Sequence, residues 1–212
     1  MGNENSGILK DVAAYYDEKL RIFGETAKGV DWNGAESQHL RFNQLTKILE
    51  ASDEFSLLDV GCGYGEYLSF LREKYSSFQY TGLDISEKML LAARRRFDGY
   101  ERVSFVDRGA DDSIFDYSVA SGVYNVKLEV SDSDWLKHVL AGIDMLSRTS
   151  KKGFSFNCLT SYSDTDKKRD YLYYADPCQL FDYCKKKFSK EVALLHDYGL
   201  YEFTILVRKP GA

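Results

Sequence analysis

The chain predicts an α/β fold: a doubly wound sheet of about seven strands with a C-terminal antiparallel hairpin and an N-terminal helical cap. Three observations predict it. From Phe55 onward, short apolar runs alternate with amphipathic segments, the pattern of a parallel sheet covered on both faces. The stretch LLDVGCGYGEYLSFL, Leu57 to Leu71, places three glycines directly after an apolar run, as happens at the carboxyl edge of such a sheet. The tail EVALLHDYGLYEFTILVRK holds two apolar runs joined around Asp197-Tyr198-Gly199, which reads as a hairpin rather than another crossover. With 212 residues the chain suits one globular unit, divided here into a cap or lid over 1–50 and a core over 51–212.

Each element has its own signal. A helical pattern covers Ile8 to Ile22, followed by the polar, glycine-rich loop GETAKGVDWNGAES. A second helix is expected from Glu36 to Leu49, with Leu40, Phe42, Leu45, Ile48 and Leu49 at helical spacing. SLLDVG and YTGLDI read as buried strands with the helix EYLSFLREKY between them and SEKMLLAARRRF after them. RVSFVD, FDYSVASG and GFSFNCLT continue the sheet, and DWLKHVLAGIDMLSR forms the helix before the last of these. Asp176 and Pro177 are suited to be N-cap and first residue of a helix through Phe188.

Composition removes several function classes. The 33 acidic and 28 basic side chains give a formal charge of −5, so a polyanion would have to be held by a local basic patch. The candidates Arg94-Arg95-Arg96, Lys167-Lys168-Arg169 and Lys185-Lys186-Lys187 read as solvated faces, and neither a nucleic-acid nor a membrane partner is expected. Cys62, Cys158, Cys178 and Cys184 contain no C-x-x-C pair, and with three histidines no metal site is expected. The N-terminus lacks an apolar signal region and no stretch approaches about 18 apolar residues. The expected compartment is cytoplasmic, with reduced thiols.

Gly61, Gly63 and Gly65 allow sharp turning and leave no side chain between backbone and ligand. The helix after them points its N-terminal N–H groups at the same place, which makes the loop a nucleotide or carboxylate pocket. A turn needed only for tight packing is the alternative. A dinucleotide fingerprint requires G-x-G-x-x-G, whereas here the third glycine comes one residue early and Glu66 follows, which disfavours a nicotinamide enzyme.

The pattern D-V-G-C-G-Y-G resembles motif I of the class I S-adenosylmethionine-dependent methyltransferases, and the resemblance continues through YTGLDIS to the final hairpin, over roughly 36–209. It implies a Rossmann-like sheet, S-adenosyl-L-methionine as cofactor, S-adenosyl-L-homocysteine as product, and transfer of a methyl group to a small molecule. By resemblance, Gly61, Cys62, Gly63 and Gly65 form the cofactor loop. Asp84, 19 residues after Gly65, holds the ribose hydroxyls, as a carboxylate can for a vicinal diol, and Ile85 follows it. Asp107 is the first choice for the adenine amine and Asp111 the second, although the loop there is shorter than the family's. Asp59 is either structural or a contact to the methionine amine. Asp116 opens the fourth strand, whose end, Ser121 to Asn125, lies beside the methyl donor. From the cap, Tyr15, Tyr16 and Trp32 are candidates to pack on cofactor or substrate and Arg41 to pair with the methionine carboxylate, ordinary core packing being the alternative.

Methyl transfer is an in-line displacement that needs alignment and water exclusion, and a base only when the acceptor arrives protonated. The D/N-P-P-Y/F tetrapeptide of amino-methylating DNA enzymes is replaced by SGVYN, which argues against methylation of nucleic-acid amines. The catalytic candidates are Tyr124, Asn125 and His196; His39 on the cap helix is a further one, and His138 reads as lying on a helix surface. Tyr124, Asn157, Tyr162 and Tyr171 are the substrate-side candidates, the last two from an insertion that also carries Tyr173 and Tyr174. Two alternatives stay open: use of S-adenosylmethionine for intramolecular or other group transfer, and a cofactor-binding partner protein without catalysis.

Overall fold

Strand β1 (Phe55–Val60) is buried at every position except Ser56, because its side chains alternate between two covered faces. In the computed structural model, which describes residues 2–50, 54–107 and 113–209, it pairs in parallel with β2 (Phe78–Leu83) and with β4 (Phe115–Ala120). Beyond β2 lies β3 (Val103–Val106), and beyond β4 lies β5 (Ser150–Leu159). The tail turns back as β6 (Glu191–Leu195) and β7 (Glu202–Arg208). Strand β7 inserts between β5 and β6 and is antiparallel to both, so the seven-stranded sheet runs β3-β2-β1-β4-β5-β7-β6.

Two apolar layers cover this sheet. On one face Leu57, Tyr80, Tyr117 and Val119 meet α2 (Ala35–Thr46) and α3 (Glu66–Arg72) through Phe42, Leu45, Tyr67 and Leu71. On the other, Leu58, Phe154, Phe156, Phe203 and Ile205 pack with α5 (Asp132–Arg148) and α6 (Pro177–Lys187). The cap helix α1 (Gly2–Phe23) joins this second layer through Val12, while α4 (Glu87–Arg96) contributes Met89 and Ala92 to a smaller cluster against Tyr16, Leu20 and Val30.

The predicted architecture is the observed one, and the differences fall at element ends. Helix α1 extends to Gly2 and β5 begins at Ser150. Helix α2 stops at Thr46, yet Ile48 and Leu49 are buried, held in a turn whose Ile48 N–H donates to Leu45 O. Apolar spacing reports burial and does not distinguish the last helical turn from a tighter one. Asp176 caps α6 as expected, its Oδ1 accepting from Cys178 N at 2.8 Å and Gln179 N at 3.2 Å. Asp176→Ala is expected to cost about 1 kcal/mol, read as a drop of about 2–4 °C in the thermal midpoint.

Candidate functional site

Parallel register brings the site together. Val60 pairs with Leu83 and with Ala120, so the three central strands end level and the next residues, Gly61, Asp84 and Ser121, emerge side by side. The loop after β1 is tied down by Gly61 N and Cys62 N donating to Leu83 O at 2.7 and 3.1 Å. Gly61, Gly63 and Gly65 all take positive φ, at 73°, 55° and 85°, conformations that side chains disfavour. Asp84 accepts from Gly63 N with Oδ2 and from Ser86 N with Oδ1, both at 2.8 Å. A carboxylate has about four lone-pair positions, one more than its backbone donors Gly63, Ser86 and Ile85, so capacity remains toward the cavity that Asp84 lines.

That cavity has a volume of about 280 Å³ and lies between the strand ends, α1, α4 and α5. Its electrostatics are set by two carboxyls. Asp84 has its pKa raised, burial outweighing the N–H donors of Ser86, Gly63 and Ile85. Asp59 is pushed up to about 7 by burial, against the stabilising Tyr80 hydroxyl, which donates to Oδ2 at 2.5 Å, and with Asp84 adding repulsion. Three buried polar atoms of cavity-lining residues, Asp59 Oδ1, Ser121 Oγ and Tyr124 OH, have no hydrogen-bond partner among the described residues. Orphaned groups of this kind are costly unless a ligand or water meets them. An acceptor and a hydroxyl, Asp59 Oδ1 and Ser121 Oγ, beside a glycine-lined loop suit a polar, cationic ligand with ribose hydroxyls; the Tyr124 hydroxyl lies deeper, against Gly142 of α5.

The cap is latched over the cavity. Asp31 accepts from Tyr15 OH and from Lys19 Nζ, each at 2.6 Å, and Asp17 of α1 accepts from Ser86 Oγ at 2.5 Å while lying 3.0 Å from Lys88 Nζ. Trp32 sits on Gly122, where a Cβ would lie only 2.3 Å from the indole. Arg41 stacks on that indole with its guanidinium carbon 4.0 Å from the ring centroid. Its Nε donates to Glu202 Oε2 at 2.7 Å, with Nη2 2.7 Å from Oε1. Glu202 Oε2 also accepts from Asn157 Nδ2 at 2.6 Å, and Asn157 Oδ1 accepts from Gly122 N at 2.7 Å. Trp32, Arg41, Glu202, Asn157 and Gly122 thus close a ring of contacts joining the cap to β4, β5 and β7.

The other sequence candidates divide between cavity and scaffold. Tyr16, Trp32, Asp59, Gly61, Cys62, Gly63, Asp84, Ile85, Ser121 and Tyr124 line the cavity. Gly65 instead caps α3, packed so closely on Phe97 that a Cβ would lie 2.6 Å from its ring. Arg41 and Asn157 are buried behind Trp32 and Gly122, in the contacts just described. Asn125 is also buried, with Oδ1 accepting from Leu159 N at 3.0 Å. Asp107 follows the edge strand β3 and is exposed, away from the cavity wall; Asp111 lies outside the described residues. His196 is exposed beside Tyr162, their rings 5.9 Å apart. Tyr162 is itself 68% exposed, and Tyr171 packs on the outer side of Tyr15 at 6.2 Å. His39 lies 3.7 Å from Glu66 and stacks on Phe42. His138 corrects the surface expectation: α5 turns it onto the cavity wall.

The geometry generates two expectations. Unfolded, a residue such as Asp59 ionises near pH 4, whereas folded it keeps its proton up to about 7. Between these values the folded state binds more protons, so this group lowers stability as pH rises. Asp59→Asn should therefore gain stability relative to the parent as pH goes from about 4 to 7 and hold that gain above, measured by chemical denaturation without ligand. Gly122→Ala should unseat Trp32, since φ at Gly122 is 72° and the indole occupies the Cβ position. The readout is a red shift in tryptophan emission, assignable to Trp32 because Trp135 is 1% exposed.

Comparison with known proteins identifies the family. A family model described as a methyltransferase domain matches residues 58–143. A protein of Mycobacterium tuberculosis named as the methyltransferase Rv1506c is 56% identical over 163 residues, covering 77% of this chain and 98% of the relative. Among solved structures, the N-methyltransferase NodS of Bradyrhizobium japonicum, in complex with S-adenosyl-L-homocysteine, has a TM-score of 0.66 at 16% identity, covering 93% of this chain and 98% of NodS. The mycolic acid cyclopropane synthase CmaA1 has a TM-score of 0.63 at 15% identity over 88% of this chain and 77% of the synthase. With its glycine loop, its level strand ends and a relative matched along nearly its whole length, the chain belongs to the class I S-adenosylmethionine-dependent methyltransferases.

Proposed function

We propose that the protein transfers a methyl group to a small-molecule acceptor enclosed beneath α1. The observation that carries this reading is the cover over the site: one cavity, partly open to solvent, runs from Asp84 and the glycine loop to residues of α1 and α5, under a helix held through Asp31 and Asp17. The surface supports the same reading, because all of Arg94-Arg95-Arg96 and two residues of Lys185-Lys186-Lys187 are matched by carboxylates. Arg94 meets Glu87, Arg95 meets Glu25 and Arg96 meets Glu66, while Lys186 and Lys187 meet Asp182 and Asp144.

Bound there, S-adenosylmethionine supplies a methyl group activated on a sulfonium. Asp84 would accept a hydrogen bond from the ribose diol with the capacity left by Gly63, Ser86 and Ile85. Asp59 offers Oδ1 to the amino group, and the approach of a cation favours its ionised form. Gly63 would let the backbone come close to the ligand, while at Gly61 a Cβ would lie 2.4 Å from the Val123 side chain. Tyr16 and Trp32 close the cavity against water, and Arg41, Glu202 and Asn157 hold Trp32 and Gly122 in place. Ser121 presents its unpartnered hydroxyl at the end of β4, while the Tyr124 hydroxyl lies deeper, against Gly142 of α5.

The test is mass-spectrometric analysis of purified protein incubated with S-adenosylmethionine, alone and with a pool of small metabolites. S-adenosylhomocysteine formed only with the pool, together with a metabolite heavier by one methylene, supports the reading. Methylthioadenosine formed without any acceptor overturns it in favour of intramolecular chemistry. Asp84→Ala is expected to weaken cofactor binding about 10- to 100-fold by calorimetry, the loss of hydrogen bonds to a charged acceptor. An unchanged dissociation constant removes the ribose role.

A further inference from the structure

Beyond the strand ends the cavity extends along α5 to Trp135, His138, Gly142 and Met145, and its wall there includes Leu9, Val12 and Ala13 of α1. Among the described residues, His138 is the only basic side chain on the cavity wall. Its ring lies against Trp135, centroids 4.8 Å apart, and its nitrogens make no hydrogen bond among the described residues. Burial pushes its pKa below the ordinary histidine value, with no charged neighbour contributing. The titratable groups that share the cavity are Tyr16 from α1, Tyr124 after β4, Asp59 and Asp84 at the ends of β1 and β2, Cys62, and Glu66 with two tyrosines at the start of α3.

We infer that this apolar lobe holds the acceptor, a neutral, flat aromatic molecule carrying a phenolic hydroxyl, and that His138 is the base that receives the hydroxyl's proton. The inference rests on the methyltransferase reading of the same cavity. Neutrality follows from the wall: among the described residues no lysine or arginine lines it to pair with a carboxylate or phosphate, and an unpaired buried anion is strongly disfavoured. Aromatic character follows from the indole of Trp135 and the thioether of Met145, both good neighbours for a ring. The hydroxyl follows from the base. A neutral amine attacks without prior deprotonation, whereas a phenol, with a pKa near 10, reacts faster when an imidazole takes its proton. As the oxygen–carbon bond forms, the carbon–sulfur bond breaks with its electron pair left on sulfur, and the hydroxyl proton passes to His138 and then to water. No redox partner is needed.

The test uses 2-naphthol as the probe, with the full chain and its His138→Gln variant. Calorimetry with S-adenosylhomocysteine-saturated protein should show naphthol binding to both forms with similar affinity. At pH 7 the variant should form S-adenosylhomocysteine from S-adenosylmethionine and 2-naphthol at least about 100-fold more slowly. The deficit should shrink by about tenfold per pH unit toward pH 9 as the naphthol ionises unaided. In nuclear magnetic resonance, the imidazole signal missing from the variant should titrate below the ordinary histidine value and move when naphthol is added.

Failure of naphthol to bind the parent overturns the acceptor class. A deficit independent of pH overturns the base role, as does no deficit at all. Loss of S-adenosylhomocysteine binding in the variant overturns the placement by assigning the α5 lobe to the cofactor. Failure of the parent to bind S-adenosylmethionine at all is the separate failure of the methyltransferase reading, and it is scored before naphthol is introduced.

Discussion

The level ending of β1, β2 and β4 is the constraint on which the site depends. Parallel pairing holds Val60, Leu83 and Ala120 at one height, and each strand then releases a different chemical group. The backbone turns at Gly61, a carboxylate follows Leu83, and a hydroxyl follows Ala120. A slip of one residue in either pairing would turn these groups toward the opposite face. The apolar alternation that buries Leu57 and Leu58 against different helices therefore also aligns the polar groups at the strand ends.

The second determinant is a buried ion pair far from the glycine loop in sequence. Arg41 and Glu202 are 6% and 1% exposed, and a charge so placed is tolerable only with its partner and further hydrogen bonds. Asn157 supplies one of these and, through its other amide atom, holds the backbone of Gly122. The pair thus fixes α2 to β7 and, through Trp32, fixes the cap to the end of β4. Its residues reach the cavity only by way of Trp32 and Gly122. Their effect on a ligand is one of position.

Much of this architecture is legible from local signals. The alternation of runs, the Asp176-Pro177 cap and the turn around Gly199 each act within a few residues, where backbone preference and side-chain hydrogen bonds decide conformation. The glycine loop and Asp84 were equally legible, because a positive φ and a strand-end carboxylate leave marks in composition. Arg41 and Asn157 were found as candidates but not as members of one network, since Glu202, their common partner, sits among apolar residues of β7 with no local sign of a buried charge. His138 was misplaced for a related reason. Helical spacing puts Trp135, Val139, Gly142 and Leu146 inward, but His138 reaches the cavity only because α1 covers that part of α5.

By itself, then, the sequence determined the order of strands and helices, the glycine-lined turn, the acidic residue that faces it, and the family to which these belong. Each of these follows from interactions between residues close in the chain or from one repeating apolar pattern. The tertiary structure alone decided that Asp107 stands outside on an edge strand, that Gly65 packs beneath Phe97, that a buried ion pair holds the cap, and that the cavity continues to His138. These depend on which element comes to rest against which, and long-range packing chooses that from the sum of many weak apolar contacts, none of which marks the sequence at the site it creates.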